Sequence, residues 1–186
     1  MIAVFDASVL YPAPLRDLLM HLTKTGLFAA KWSDLIHDEW TRNVLEDRPD
    51  LSAAQIARTR TLMNAHVELS LVTGFEDLIQ NLGLPDLDDR HVLAAAIHAQ
   101  ATLIVTMNLK HFPVAALQPY GIEPIHPDAF VLRLLEIAPS LVFSTLKKQR
   151  LNLTRPTMTR EEMLEVFERQ GLKGFVEQIR QNATEF

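Results

Sequence analysis

Short apolar runs alternate with amphipathic stretches through the first 126 residues, and this alternation is the tightest constraint on what the chain can fold into. A strand, a crossover helix and another strand build a parallel sheet covered by helices. The clearest strand is 102–106 (TLIVT), a continuous apolar run of the kind that a sheet buried on both faces requires. Residues 2–6 (IAVFD) are a second such run, ending in an acid. Further strands are predicted over 27–31, 67–72 and 122–125. Helices are predicted over 14–25, 34–47, 53–66, 75–82, 89–100 and 113–118. Ser33 is a suitable N-cap for 34–47, and Ser52 with Gln55 makes a capping-box pattern before 53–66.

Beyond Pro127 the pattern turns wholly helical, with helices expected over 128–138, 140–150, 160–170 and 172–182. Thr159 and Glu162 form a second capping box, and the Pro156 region reads as a linker. The expected organisation is an α/β domain over 1–127 and a helical C-terminal extension over 128–186. The amphipathic stretch that begins at Met158 reads first as packing against the rest of the protein and second as partner binding.

Composition removes several function classes. There is no cysteine, which excludes disulfides and thiolate metal sites and fits a cytoplasmic location. No stretch approaches the roughly 18 to 20 apolar residues of a membrane span, and the apolar N-terminus lacks the basic flank of a signal peptide. A net charge of −5 argues against sequence-blind nucleic-acid binding by bulk charge. Its distribution is uneven, however. Lys147, Lys148, Arg150, Arg155 and Arg160 form a run without an acid, whereas Asp86, Asp88 and Asp89 cluster in one turn.

In parallel sheets, ligands bind beyond the carboxyl ends of the strands. Asp6 ends the first predicted strand, and Thr106 and Asn108 stand at or just past the end of TLIVT. Asp89 opens the helix that feeds that strand; Val92, Leu93, Ala96 and Ile97 follow it at helical spacing, so Asp89 heads the buried stripe. Asp88 is rotated by about 100° from it and reads as a cap or a solvated acid. Asp86 lies in the turn and is an outer-ligand candidate. Glu39 sits beside Trp40, next to the apolar face of its helix. Acids gathered at one sheet edge repel one another unless a cation joins them. Hard divalent ions such as Mg²⁺ or Mn²⁺ take oxygen ligands and support in-line phosphodiester hydrolysis. Taken singly, these residues also have plain readings: a strand-terminal acid, a solvated helix acid and a capping turn.

Three stretches together resemble the PIN-domain family. FDASVL resembles its first strand, with Asp6 as the first acid and Ser8 beside it. SDLIHDEW resembles the helix carrying the second acid, here Glu39. DLDDRHVLAAAIHAQATLIVTMNLKHFP resembles its long later motif, which puts Asp89 in the third acidic position and Asn108 in the fourth. The resemblance implies an α/β/α fold around a central parallel sheet of about five strands. It also implies an acidic Mg²⁺ or Mn²⁺ site held by Asp6, Asp89 and Glu39, and endoribonuclease activity. Short bacterial members are VapC-type toxins that cleave tRNA or rRNA, pair with a cognate antitoxin and often form homodimers, and a longer subgroup carries a helical extension. The chain departs from many relatives at Asn108, whose amide oxygen can ligate but brings no negative charge. A PIN scaffold without catalysis, or a receiver-like regulatory module, are the alternatives. The latter lacks an acidic pair after the first strand.

Other residues have milder readings. No His-x-x-x-His pair is present, so a zinc hydrolase has no support, and the histidines read as surface or hydrogen-bonded structural groups. His111, three residues past Asn108, is the exception, expected to touch a phosphate. Arg90 and Lys110 flank the site and are RNA-contact candidates, as are Lys147, Lys148 and Arg150. Trp32, Trp40 and Phe112 read as core anchors.

Overall fold

A computed structural model describes residues 1–153 and 157–182. The expected linker at Pro156, and Arg155 of the cationic run, lie outside the described residues. In chain order the elements are β1 (Ile2–Phe5), α1 (Ala7–Leu10), α2 (Ala13–Thr23), β2 (Ala29–Ser33), α3 (Asp34–Asp47), α4 (Ala53–His66), β3 (Leu71–Val72), α5 (Glu76–Ile79), α6 (Arg90–His98), β4 (Leu103–Val105), α7 (Val114–Leu117) and β5 (Glu123–Ile125). There follow α8 (Pro127–Ile137), α9 (Pro139–Asn152), α10 (Arg160–Arg169) and α11 (Lys173–Gln181). Two compact units result: residues 1–11 with 28–126, and residues 12–27 with 127–186. The second unit therefore takes α2 from the N-terminal part of the chain as well as the C-terminal helices.

The first unit is a five-stranded parallel sheet flanked by helices, in the order β3-β2-β1-β4-β5, as expected of a PIN-like fold. Its centre is apolar on both faces: Ala3, Val4, Phe5, Ile104 and Val105 are wholly buried. Helix α6 adds Val92 to Ala96, whose small alanines let a helix backbone approach the strands closely. The first strand is shorter than the FDASVL pattern suggests. The chain turns at Asp6, whose carbonyl accepts the amides of Val9 (3.1 Å) and Leu10 (3.4 Å), and α1 begins. The turn leaves Ala7, Val9 and Leu10 buried. Ser33 caps α3 through the amide of Ile36, and the Ser52–Gln55 box caps α4. Trp32, Trp40 and Phe112 are fully buried anchors, as expected. Asn64 Oδ1 accepts from Trp32 Nε1 (2.7 Å) and lies 3.0 Å from His37 Nε2, while Trp40 Nε1 donates to His37 Nδ1 (2.9 Å). This network joins β2, α3 and α4.

The second unit is all helical. Helix α8 packs on α9 and α11, α2 packs on α9 and α10, and α10 packs on α11. The Thr159–Glu162 capping box opens α10 as expected. Phe130, Leu134, Phe167, Phe175 and Ile179 form its core. Leu172, the N-cap residue of α11, offers the helix no side-chain cap. Asp128 of α8 caps it instead, accepting the amides of Gly174 (3.0 Å) and Phe175 (2.8 Å). Among the described residues, no single helix is long and apolar enough to cross a membrane, and α8 with α9 qualifies by composition only across a 118° bend.

Candidate active site

The strand order reverses between β1 and β4, because β2 and β3 extend the sheet on one side and β4 and β5 on the other. A crevice opens at the carboxyl ends of strands at such a switch point. Asp6 follows β1 and Thr106 follows β4, so the topology sets them side by side at that edge. The Asp6 amide donates to Val105 O (3.1 Å), continuing the ladder one residue past the strand.

Asp6 is 2% exposed. Its Oδ2 accepts from Ser8 Oγ (2.6 Å) and Thr106 Oγ1 (2.7 Å). Burial pushes its pKa above the ordinary 3.8; the Ser8 and Thr106 hydroxyls pull it back, and the negative charge of Glu39 adds to the rise. Asp89 is also raised, by burial first, against its hydrogen bond with His111; the charges of Asp6 and Asp86 add to the rise. Asp6 thus feels Glu39, and Asp89 feels Asp6. Such mutual repulsion among poorly solvated acids is relieved by a cation.

Among the described residues, Asp86, Asp89 and His111 bring ligand atoms within 4.8 Å of one another. Two carboxylates and an imidazole suit Mn²⁺, and the oxygens suit Mg²⁺. This cluster shares only Asp89 with the trio expected from the resemblance. Asp6 lies beside it in its hydroxyl cradle. Glu39 Oε2 faces His91 Nε2 at 3.3 Å.

The remaining site residues fall as follows. Asp88 is exposed, and its amide donates to Asp86 Oδ1 (3.0 Å), which tightens the turn. Asn108 is exposed at the start of a 3₁₀ turn, Leu109–His111, that also carries exposed Lys110. Arg90 is half-buried and donates through Nε to Leu87 O (2.8 Å). Lys147 and Lys148 are exposed and Arg150 is half-buried on α9, in the second unit. His111 does not stand alone toward solvent: Nδ1 lies 2.7 Å from Asp89 Oδ2 and 3.5 Å from Asp86 Oδ2. The His111–Asp89 and His91–Glu39 pairs have no local spacing that betrays them. They form only when sheet order brings distant segments together.

The family described as the VapC50 C-terminal domain matches residues 127–181. A stretch of 64 residues is 52% identical to a Mycobacterium tuberculosis protein named as a candidate ribonuclease, VapC50. That similarity covers 34% of this chain and only 37% of the relative's length. No solved structure matches.

Proposed function

We propose that this chain, a VapC-type protein in which a PIN-like α/β domain is followed by a VapC50-type C-terminal domain, is a divalent-cation-dependent endoribonuclease. The observation that carries the reading is Asp6: a buried carboxylate at the sheet's switch point, bonded across it to Thr106 and set among the charges of Glu39 and Asp89. A buried acid so placed costs stability, and a site is where such a cost is retained.

Asp6, Asp89 and Glu39 would hold Mg²⁺ or Mn²⁺, with Asn108 as a neutral oxygen donor and Asp86 as a further carboxylate nearby, while His111 faces Asp89 through Nδ1. The cation supplies the Lewis acidity that phosphodiester hydrolysis requires. The chain's own residues do the rest. Ser8 and Thr106 fix the Asp6 carboxylate through Oδ2. Asp88 faces solvent beside the site and shapes the turn that carries Asp86. Lys110 and Arg90 flank the acids and would position RNA phosphates; Lys147, Lys148 and Arg150, in the second unit, are further RNA-contact candidates. The ribonuclease name of the Mycobacterium tuberculosis relative supports RNA as the substrate; tRNA or rRNA is the class that the family resemblance implies. We further read the protein as the cytoplasmic toxin of a toxin–antitoxin pair, neutralised by a cognate antitoxin and forming a homodimer. Its region 1–127 would act as the nuclease domain and 128–186 as its helical extension. A scaffold that has lost catalysis is the second reading, favoured by the missing charge at Asn108.

The test is cleavage of tRNA and rRNA with Mn²⁺ or Mg²⁺ and with chelator. Activity is expected only with the ion, and is expected to vanish in Asp6→Asn and Asp89→Asn. Cleavage by both variants at the wild-type rate would defeat the reading.

A further inference from the structure

We infer that residues 106–111 form a hydrogen-bonded bridge between Asp6 and Asp89, in which Ser8, Thr106 and His111 are positioning residues for the two carboxylates. This deepens the cation-site reading and rests on it.

Proton bookkeeping gives the bridge its direction. An amide N–H only donates, whereas a hydroxyl both donates and accepts. Thr106 Oγ1 accepts the Asn108 amide (2.9 Å), so its own proton goes to Asp6 Oδ2 (2.7 Å). Ser8 Oγ accepts the Met107 amide (3.1 Å), and its proton goes to the same oxygen (2.6 Å). The loop after β4 thereby dictates how both hydroxyls face Asp6. The path continues on the other side. The His111 amide donates to Asn108 O (2.9 Å), closing the 3₁₀ turn, and the His111 ring reaches Asp89 Oδ2 at 2.7 Å. An ionised carboxylate only accepts, so Nδ1 carries the proton. Thr106 and Phe112, at either end of the segment, are both fully buried, which anchors the turn between them.

Asp89 is where this path ends. It precedes α6 with its backbone already helical (φ −81°, ψ −5°), so its side chain makes no cap to the helix amides. Its Oδ2 instead meets His111. Two acids that repel each other have no local means of staying together, and a shared rigid loop provides one. Partners of this kind, which orient ligands without being the main donors, are worth about 10–100-fold in metal affinity.

The test uses the full chain in four variants. Thr106→Val and His111→Ala remove a link; Thr106→Ser and His111→Asn keep a hydroxyl and an N–H donor in place. Calorimetric Mn²⁺ affinity is expected to fall about 10–100-fold in the first pair and to recover in the second. The double variant Thr106→Val/His111→Ala is expected to be no weaker than the poorer single, as links of one chain should be. Thermal unfolding checks that each variant folds. In the metal-free protein, Thr106→Val is expected to speed exchange of the Asn108 amide and to shift the His111 ring resonances. Unchanged Mn²⁺ affinity in both link-removing variants, or fully additive losses, would overturn the bridge. If wild type binds no Mn²⁺, the cation-site reading fails. The bridge is then judged on the metal-free signals alone, and absence of either signal overturns it.

Discussion

Asp6 in the first unit and Asp128 in the second both accept hydrogen bonds, but Asp6 is bonded to side-chain hydroxyls and Asp128 to helix amides. Asp6 takes two hydroxyls on one oxygen, under burial and beside the charge of Glu39, and its pKa rises. Asp128 spreads two backbone amides over its two oxygens, at a helix start whose own N-cap residue has no capping group. Those amides would otherwise lack partners, and the N-terminal end of the helix dipole favours the carboxylate. One carboxylate is kept where its charge is costly; the other is placed where its charge stabilises. The difference separates a residue held for chemistry from a residue held for folding. It also shows that a hydrogen-bonded, half-buried aspartate is not by itself the sign of a site.

The largest effect expected from this contrast is at Asp6. Its folded pKa lies above the unfolded value near 3.8, so its contribution to stability is complete below that value and is lost as pH rises through the folded pKa. Asp6→Asn should therefore abolish cleavage and yet raise the melting temperature of the metal-free protein at pH 7. The gain should shrink toward pH 4. Scanning calorimetry at the two pH values measures it, and a variant less stable than wild type at pH 7 would break the contrast.

Asp128 should behave in the reverse way. Asp128→Ala strands two helix amides and is expected to cost about 1–2 kcal/mol in urea unfolding. Gly174→Ala probes the same contact, because a Cβ there would stand 2.9 Å from Asp128 Oδ2. The cost expected is about 1–3 kcal/mol. Mn²⁺ affinity should hold in both variants. A loss of affinity without a loss of stability would show that Asp128 is not the structural half of the pair.

The smallest effect sharpens the comparison with a buried group that is polar and structural within the first unit. His37 accepts the Trp40 indole N–H at Nδ1, so the ring is neutral with its proton on Nε2, facing Asn64. Burial lowers its pKa below 6.5; the Asn64 bond opposes this and the Arg60 charge assists. A depressed pKa contributes stability above the unfolded value that is lost as pH falls through 6.5 toward the folded one. Stability followed by urea unfolding should decline below pH 6.5, and His37→Gln should flatten that slope. An equal slope in the variant would remove His37 as its source.

Much of the fold was legible in local pattern. Ser33, the Ser52–Gln55 box and the Thr159–Glu162 box cap the helices they precede, because a cap is decided within a few residues. The TLIVT run is a buried strand because hydrophobic periodicity is equally local. The turn at Ala7–Leu10 was hidden, since an apolar run of that length suits a strand or a helix equally. At the site, the positions of Asp6 and Asp89 could be read from where they stand relative to a strand end and a helix start. Their partners could not. His111 reaches Asp89, and His91 reaches Glu39, only through the order of the strands.

By itself, then, the amino-acid sequence determined most strands and helices in outline, the caps that start α3, α4 and α10, and that Asp6 and Asp89 stand at a strand end and a helix start. These are choices made among neighbours along the chain. The tertiary structure alone decided that α2 joins the C-terminal helices, that Asp128 caps a helix 46 residues away, and that Thr106 meets Asp6 across 100 residues. Such pairings depend on which faces bury one another once loops have closed, and no spacing along the chain encodes that.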